Sequence, residues 1–289
     1  MAQPLYQDRI WYSADGLRLH YRDYAGDPTK APVLCIPGLT RNARDFEGVA
    51  SHLAGSRRVI AVDLRGRGDS DYSDDPMTYV PPVYVQDLLA LIDEQDLHHV
   101  VLFGTSLGGL LAMLIGLAAR PLLAGVLLND IGPVLGVQGL SRIRTYVGRD
   151  VRFAGWDEAA ATLAQAHTGS FPSYGSEDWQ RWAHRVCRQE PDGTIRFDYD
   201  MALAAPFNLP PPEPPFDLWP AFESLRGLPL LLVRGALSDI LEEETAIEMV
   251  RHIPNMDFVT VPAIGHTPTL EEPEAMHAID LLLAAVDHE

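Results

Sequence analysis

Short apolar runs alternate with segments of helical periodicity through most of the 289-residue chain. The apolar runs are rich in valine, leucine and isoleucine and are predicted as strands at 32–36, 58–62, 100–103, 123–128, 228–233 and 257–261. The segments that separate them predict helices at 44–54, 83–94, 107–119, 242–251 and 273–286. This alternation predicts an α/β fold, in which a mostly parallel sheet is covered by helices on both faces.

The beginning of the chain has the pattern of an antiparallel hairpin. Asp15-Gly16 separates two segments of strand character, 10–12 and 17–21. Asp-Gly favours a type I′ turn, because both central residues of that turn need a positive φ. We therefore expect an antiparallel pair of strands, joined by a type I′ turn, before the parallel part of the sheet.

The pattern changes between residues 133 and 217. Amphipathic helices are predicted at 156–166 and 177–188, and no strand continues the sheet. The sheet needs strands from both sides of this segment, which favours one core over two domains joined by a linker. We therefore predict an α/β core formed by 1–132 and 218–289, with a helical cap, or lid, inserted at 133–217.

The charge of the chain restricts its partners. Its 22 lysines and arginines face 40 aspartates and glutamates, which gives a formal charge of −18 with no basic block. Such a chain repels polyanions, so we expect no nucleic acid partner. The apolar stretch 100–119 is as long as a membrane span, but Gly104, Gly108 and Gly109 interrupt it. A strand, a turn and a buried helix explain this stretch better, so we expect no membrane partner.

Cysteine usage and the N-terminal segment indicate the compartment. Cys35 and Cys187 are 152 positions apart, which fits neither a disulfide framework nor a metal-ligand spacing. Asp8 and Arg9 interrupt the segment in which a secretory signal would need a continuous apolar run. We expect a cytoplasmic protein, and nothing in the sequence indicates its oligomeric state.

Ser106 lies between two glycines at the junction of a predicted strand and a predicted helix, in Gly104-Thr105-Ser106-Leu107-Gly108. A turn this tight leaves no room for side chains at the flanking positions, because the strand and the helix approach closely. The serine hydroxyl would then be exposed at the helix N-terminus, where the amide of Leu107 can face an oxyanion. This context favours a nucleophilic serine over a purely structural glycine turn.

Four further motifs each follow a predicted strand: Ile-Pro-Gly-Leu at 36–39, Asp-Leu-Arg-Gly-Arg-Gly-Asp-Ser at 63–70, Arg-Gly-Ala-Leu-Ser-Asp at 234–239 and Gly-His-Thr-Pro at 265–268. Together with the serine motif, they make nearly the whole chain resemble the α/β-hydrolase family. The resemblance implies a catalytic triad in the order Ser106, Asp239, His266. It also implies that the amides of Leu39 and Leu107 form the oxyanion hole.

The chemistry explains the three residue types. A serine hydroxyl needs a base that takes its proton and later returns it, and His266 would be that base. A carboxylate on the other imidazole nitrogen fixes the tautomer and stabilises the imidazolium. The resemblance favours Asp239 for this role. Asp130, which follows the predicted strand at 123–128, is the alternative acid, because some relatives place the carboxylate there.

Two positions distinguish this chain from some of its relatives: one in the oxyanion loop and the other at the serine. Many relatives have His-Gly in the oxyanion loop where this chain has Pro37-Gly38, so the fixed φ of proline must stiffen the loop. Relatives that open epoxides or remove halide have aspartate in place of Ser106, so neither activity is expected.

The expected function is hydrolysis of a small carboxylic ester or lactone through an acyl-enzyme, with a small-molecule substrate and no metal or organic cofactor. Cleavage of a carbon–carbon bond beside a ketone and a cofactor-free haloperoxidase or perhydrolase activity are the enzymatic alternatives. The alternative from another class is a ligand-binding protein with the shape of a hydrolase. Arg142, Arg144 and Arg149 of the insertion are expected to be solvated, with contact to a substrate carboxylate as the alternative.

Overall fold

A computed structural model describes residues 5–209 and 216–288. The strands are β1 (Gln7–Tyr12), β2 (Arg18–Tyr24), β3 (Val33–Ile36), β4 (Val59–Asp63), β5 (Val100–Thr105), β6 (Leu123–Asn129), β7 (Arg152–Phe153), β8 (Cys187–Gln189), β9 (Ile195–Phe197), β10 (Leu230–Gly235) and β11 (Asp257–Val261). The α-helices are α1 (Glu47–Leu53), α2 (Pro81–Glu94), α3 (Leu107–Ala119), α4 (Val137–Tyr146), α5 (Trp156–His167), α6 (Ser176–Val186), α7 (Ala204–Phe207), α8 (Trp219–Glu223), α9 (Glu243–His252) and α10 (Pro273–His288). Four 3₁₀ helices cover Ala43–Phe46, Pro76–Thr78, Arg120–Leu122 and Met201–Leu203.

Eight strands form one twisted sheet in the order β1-β2-β4-β3-β5-β6-β10-β11. β1 pairs antiparallel with β2, and β2 pairs antiparallel with β4. The remaining neighbours in this sheet are parallel. The predicted α/β fold with a mostly parallel sheet and an N-terminal antiparallel hairpin is confirmed.

The hairpin is present, but its turn is not the predicted type I′. Tyr12 pairs with Arg18, so residues 13–17 form the connection. Gly16 has a φ of +87°, whereas Asp15 does not have the positive φ that a type I′ turn requires. Both oxygens of Asp15 instead accept hydrogen bonds from the Arg65 guanidinium, at 2.8 and 2.9 Å. The predicted turn type was therefore wrong: the connection is longer than two residues and is closed by the Gly16 amide, which donates to the carbonyl of Ser13 at 2.9 Å.

The central strands are buried on both faces. Alternate residues of each strand point to opposite sides of the sheet. Leu34 of β3 and Leu102 of β5 belong to the apolar cluster on one face, and Val33 and Val101 belong to the cluster on the other. This burial explains why these strands read as continuous apolar runs in the sequence.

The segment between β6 and β10 adds α4 to α8 and a small antiparallel sheet of order β7-β9-β8. The predicted helices at 156–166 and 177–188 correspond to α5 and α6, which pack against each other. The small sheet was not predicted, because strands of two or three residues are too short to show a periodicity.

Backbone hydrogen bonds join this insertion to the core at several separate places. Gly68 donates to the carbonyl of Asp198 at 3.1 Å, beside the loop after β4. Gly265 donates to the carbonyl of Ser170 at 2.6 Å, next to the loop that follows β11. Gly136 donates to the carbonyl of Ile240 at 2.8 Å, where α4 begins. The insertion therefore contacts three of the loops at the carboxyl edge of the sheet.

Within residues 5–209 and 216–288, no helix combines the length and the apolar character that crossing a bilayer would require. The apolar stretch 100–119 forms β5 and α3, joined by a sharp turn at Ser106.

Candidate active site

Ser106 occupies a strained turn between β5 and α3, with φ 52° and ψ −114°. A Cβ on Gly104 would lie 2.5 Å from backbone atoms of Gly108 and Gly109, and a Cβ on Gly108 would overlap the carbonyl oxygen of Ile36. Both glycines are therefore required for the close approach of strand and helix. The turn brings the serine hydroxyl to the carboxyl edge of the sheet, as expected from the sequence.

The loop after β11 places His266 beside this serine. Nε2 of His266 lies 2.8 Å from Oγ of Ser106, which is hydrogen-bonding distance. The imidazole is 9% exposed. The structure therefore brings together a serine and a histidine that are 160 positions apart in the chain.

The carboxylate on the other side of the imidazole belongs to Asp130. Nδ1 of His266 lies 2.7 Å from Oδ2 of Asp130, and the aspartate side chain has no exposed surface. The amide of Gly235 and the hydroxyl of Ser238 also donate to this carboxylate, at 2.9 and 2.6 Å. These three donors compensate the burial of the charge and fix its orientation toward His266.

Asp239, the acid favoured by the resemblance, lies elsewhere. Both of its oxygens accept hydrogen bonds from the guanidinium of Arg142 on α4, at 2.6 and 2.8 Å. Burial acts to raise the pKa of Asp239, but its bonds to Arg142 and the charge of Arg142 lower it. The prediction that Asp239 orients His266 is wrong for this geometry, because α4 binds Asp239 and Ser238 turns toward Asp130 instead.

Leu39 follows β3 and Leu107 opens α3, and the role of their amides in an oxyanion hole stays a prediction. Within the described residues, neither amide donates a hydrogen bond to the backbone or to a side chain. The first amides of a helix have no acceptor inside the helix, so that of Leu107 remains available. Arg67 anchors the other loop, because its Nε donates to the carbonyl of Leu39 at 2.8 Å.

A cavity of about 730 Å³ opens over Ser106, and both the core and the insertion line it. Its size is within the range of small-molecule sites. Tyr146, His167 and Trp182 contribute aromatic surface from the insertion. Arg142 and Arg149 also line the cavity, whereas Arg144 is exposed and does not. Arg142, which is partly buried and binds Asp239, therefore differs from the solvated charge expected from the sequence, whereas Arg149 is exposed.

One cluster of the described residues has the composition of a metal site. A ring nitrogen of His20 and carboxylate oxygens of Asp63 and Asp69 lie within 4.8 Å of one another. Hydrogen bonds already occupy this cluster: His20 bonds Asp63 at 2.7 Å and Asp8 at 3.0 Å. Asp63 also accepts from the amides of Ala43 and Asp69, at 2.6 and 3.0 Å. These bonds brace the loops after β3 and β4, so we assign no metal to the cluster.

Two residues of the cavity wall, Arg41 and His167, were not foreseen as functional. Arg41 follows the oxyanion loop, and His167 is the last residue of α5. Nothing in the local sequence distinguishes His167 from a histidine at the C-terminus of any helix, where its charge suits the dipole. Burial, followed by the charges of Arg142 and Arg41, lowers the pKa of His167 to about 4. His167 is therefore neutral near pH 7.

Comparisons with known proteins agree with this fold. The model of the alpha/beta hydrolase family matches residues 33–279. The chain is 41% identical over 265 residues to the 3-hydroxybutyrate-oligomer hydrolase of Cupriavidus necator, and the match covers 89% of each protein. It is 27% identical to the 2-(acetamidomethylene)succinate hydrolase of Mesorhizobium japonicum, over 89% of this chain and 88% of that protein.

A solved structure extends the agreement to three dimensions. The crystal structure of an alpha/beta hydrolase from Novosphingobium aromaticivorans superposes with a TM-score of 0.94 at 48% sequence identity. The superposition covers 98% of this chain and 99% of that one. The chain is therefore a member of the alpha/beta hydrolase family and an enzyme of the hydrolase class.

Proposed function

We propose that the protein is a serine hydrolase that cleaves carboxylic esters through an acyl-enzyme, with Ser106 as nucleophile, His266 as base and Asp130 as the residue that orients the base. The observation that carries the proposal is the pair of hydrogen-bonding distances at His266, 2.8 Å to Ser106 and 2.7 Å to Asp130. A nucleophile, a base and an orienting group in mutual contact are the arrangement that acyl transfer requires.

Acylation begins when Oγ of Ser106 attacks the ester carbonyl carbon and its proton passes to Nε2 of His266. The carbonyl oxygen becomes negatively charged and accepts hydrogen bonds from the amides of Leu39 and Leu107. Each donor of this kind lowers the barrier by about 3 to 4 kcal/mol when it is fixed in advance. The bond to the alcohol oxygen then breaks, and His266 returns the proton to the leaving alcohol.

Deacylation repeats these steps with water as the nucleophile. His266 accepts a proton from water, the hydroxide attacks the acyl carbon, and the proton goes to Oγ of Ser106 as the ester bond breaks. The products are a free acid and the regenerated serine. None of these steps requires a metal or an organic cofactor.

The substrate class we propose is a short ester of hydroxy acids. The named activity of the Cupriavidus necator relative, hydrolysis of 3-hydroxybutyrate oligomers, supports it at 41% identity. The mixed surface of the cavity also supports it, because polar side chains such as Arg142 and His167 interrupt the aromatic wall. In this proposal the insertion acts as a cap that shields the acyl-enzyme and determines which esters fit.

Covalent labelling tests the nucleophile. A fluorophosphonate probe should modify the wild-type protein at Ser106, and mass spectrometry of peptides should locate the adduct there. The Ser106→Ala variant should remain unlabelled, while Ser70→Ala, which changes a buried serine outside the cavity, should label normally if it folds. Absence of labelling in folded wild-type protein would overturn the proposal.

Turnover measurements test the bond that is cleaved. A linear 3-hydroxybutyrate dimer, a lactone such as β-butyrolactone and a coloured dienoate with a carbon–carbon bond beside a ketone should be compared at equal concentration. We expect kcat/KM to be highest for the linear ester. Faster turnover of the dienoate would identify a carbon–carbon hydrolase, and faster turnover of the lactone would identify a lactonase.

A further inference from the structure

The cavity is richer in arginine than the acidic chain around it. Five of the 21 arginines line it, namely Arg41, Arg142, Arg149, Arg181 and Arg185. The acidic residues on the same wall number four: Asp45, Asp178, Glu271 and Glu272. Asp239, which binds Arg142, is a fifth carboxylate beside this wall, so the charges balance there in a chain of formal charge −18, and the wall does not repel an anionic ligand.

Arg41 comes from the core, close to the nucleophile. An added Cβ on Gly38 would lie 3.3 Å from Cγ of Arg41 and 3.6 Å from Cβ of Ser106, so the two side chains flank the same glycine. Asp45 holds the guanidinium through Nε at 2.6 Å and Nη2 at 2.7 Å. The ion pair fixes the arginine and leaves Nη1 for another acceptor.

Arg142 comes from α4 of the insertion and is held in the same way. Asp239 accepts from its Nε at 2.6 Å and from its Nη2 at 2.8 Å, again without using Nη1. The side chains of Arg142 and Asp239 are each 30% exposed. Two guanidinium groups, one from each part of the protein, are therefore fixed in advance with a nitrogen that their carboxylates do not use.

His167, Trp182 and Tyr146 connect the two arginines. The guanidinium carbon of Arg41 lies 5.3 Å from the centre of the Trp182 ring, which is 4.9 Å from the His167 ring. Tyr146 lies 6.4 Å from His167 and one turn of α4 beyond Arg142. Both arginines act on the pKa of His167, so their charges converge near this imidazole.

One polar atom at this place has no partner. Nε1 of Trp182 is buried and makes no hydrogen bond to the described residues. A buried donor without an acceptor is costly.

We propose that Arg41 and Arg142, together with His167 and Trp182, form a subsite for the free carboxylate of the substrate, an inference that rests on ester hydrolysis at Ser106. The substrate is then an acidic ester, one whose hydroxy-acid chain ends in an unesterified carboxylate. Cleavage proceeds at a fixed distance from that end. Because Ser106 lines the same cavity of about 730 Å³, the carboxylate end and the scissile ester of a short oligomer can both lie within it.

A matched pair of substrates tests the subsite. The 3-hydroxybutyrate dimer and its terminal primary amide contain the same scissile ester and differ only in the charge of the end group. Release of the 3-hydroxybutyryl unit should give a kcat/KM for the acid that is about tenfold or more above that for the amide. Arg41→Gln and Arg142→Gln should each lower this acid-to-amide ratio by about tenfold.

Charge-balanced variants separate recognition from disturbance of the ion pairs. Asp239→Asn removes the competing carboxylate, so it should raise the acid-to-amide ratio, whereas Asp239→Asn combined with Arg142→Gln should lower it. Arg144→Gln changes an exposed arginine of the same helix and should keep the wild-type ratio. Melting temperatures identify any variant that fails to fold, and the double variant replaces Arg142→Gln in that case.

The outcomes distinguish this inference from the proposed function. If fluorophosphonate labels Ser106 and both dimers are cleaved with a ratio near one, the subsite is wrong and the esterase proposal stands. A wild-type preference for the acid that survives in both arginine variants also overturns the subsite. If Ser106 is not labelled and neither dimer is cleaved, the proposed function itself fails. Binding of the two dimers to Ser106→Ala, measured by calorimetry, then tests the carboxylate subsite without turnover.

Discussion

Nδ1 of His266 lies 2.7 Å from Oδ2 of Asp130, and Asp130 directly follows β6, the strand next to β5, which ends directly before Ser106. The amide of Ser106 donates to the carbonyl of Asn129 at 2.9 Å, so the two strand ends are locked in register. The serine and the carboxylate are thus positioned by one pair of parallel strands, and only the imidazole comes from beyond the insertion.

Replacing the two carboxylates one at a time tests this relationship. Asp130→Asn should lower kcat for a neutral p-nitrophenyl ester by about four orders of magnitude, because an amide in this place favours the wrong imidazole tautomer. Asp239→Asn should lower kcat by less than about tenfold, because Asp239 contacts Arg142 and not His266. Circular dichroism would confirm that both variants fold. The opposite ranking would return the role to Asp239.

The sequence alone could not decide whether Asp130 or Asp239 contacts His266. Both aspartates follow predicted strands, and the motif around Asp239 has the usual distance from the histidine. Asp130 is selected by a positive φ of 57°, by a hydroxyl from Ser238 and by the attachment of Asp239 to Arg142 of the insertion. The contacts of Ser238 and Arg142 join distant segments of the chain, so no local sequence pattern predicts them.

Gly108, two positions after Ser106, should be intolerant of a methyl group. Gly108→Ala would force a Cβ against the carbonyl of Ile36, and we expect a loss of about 3 kcal/mol or more in the free energy of unfolding. Gly169→Ala is the control, because a Cβ there has nothing within 4 Å, and its effect should remain within about 1 kcal/mol. Urea denaturation measures the free energy of unfolding of both variants. Equal stabilities would contradict the packing described for the turn.

Arg67 should affect turnover more than substrate affinity. It is completely buried, and it donates to the carbonyl of Leu39 and to the hydroxyl of Tyr84. Arg67→Met should release the oxyanion loop and lower kcat by about tenfold or more, with KM changed by less than about threefold.

A second buried arginine provides the control for Arg67. Arg65→Met removes contacts to Asp87 and Asp15 but none to Leu39, so it should lower the melting temperature without a comparable loss of kcat per folded molecule. Equal losses of kcat in the two variants would show that Arg67 has only a structural role.

The His20 cluster should make stability depend on pH. Burial acts to lower the pKa of His20, but the carboxylates of Asp63 and Asp8 outweigh it, so the pKa is raised above its ordinary value of 6.5. The stabilisation is therefore fully present below about pH 6.5 and is lost as the pH rises through the raised value. His20→Gln should be less stable than wild type at about pH 6, and the gap should narrow toward about pH 9.

Urea unfolding at several pH values would measure this gap. His277→Gln, which changes an exposed histidine on α10, should show a difference that does not vary with pH in the same way. A gap for His20→Gln that widens as the pH rises would contradict the assigned direction of the pKa shift.

The predicted elements of the core match the structure to within a few residues, because burial on both faces leaves a strong apolar signal. β5 and α3 follow directly from the run before Gly104 and the helical pattern after Ser106. The wall of the cavity was less predictable. Arg41, His167 and Trp182 meet only through tertiary packing, and each is unremarkable among its sequence neighbours.

The backbone bonds from Gly68 to Asp198, from Gly265 to Ser170 and from Gly136 to Ile240 have a consequence for engineering. An insertion transplanted from a homologue would have to present carbonyls or amides at all three positions simultaneously, or the recipient scaffold would be left with unsatisfied groups. Reprogramming selectivity by grafting whole segments is therefore demanding in this enzyme. Point substitutions of residues that line the cavity leave these three hydrogen bonds intact, so they are the more practical way to change selectivity.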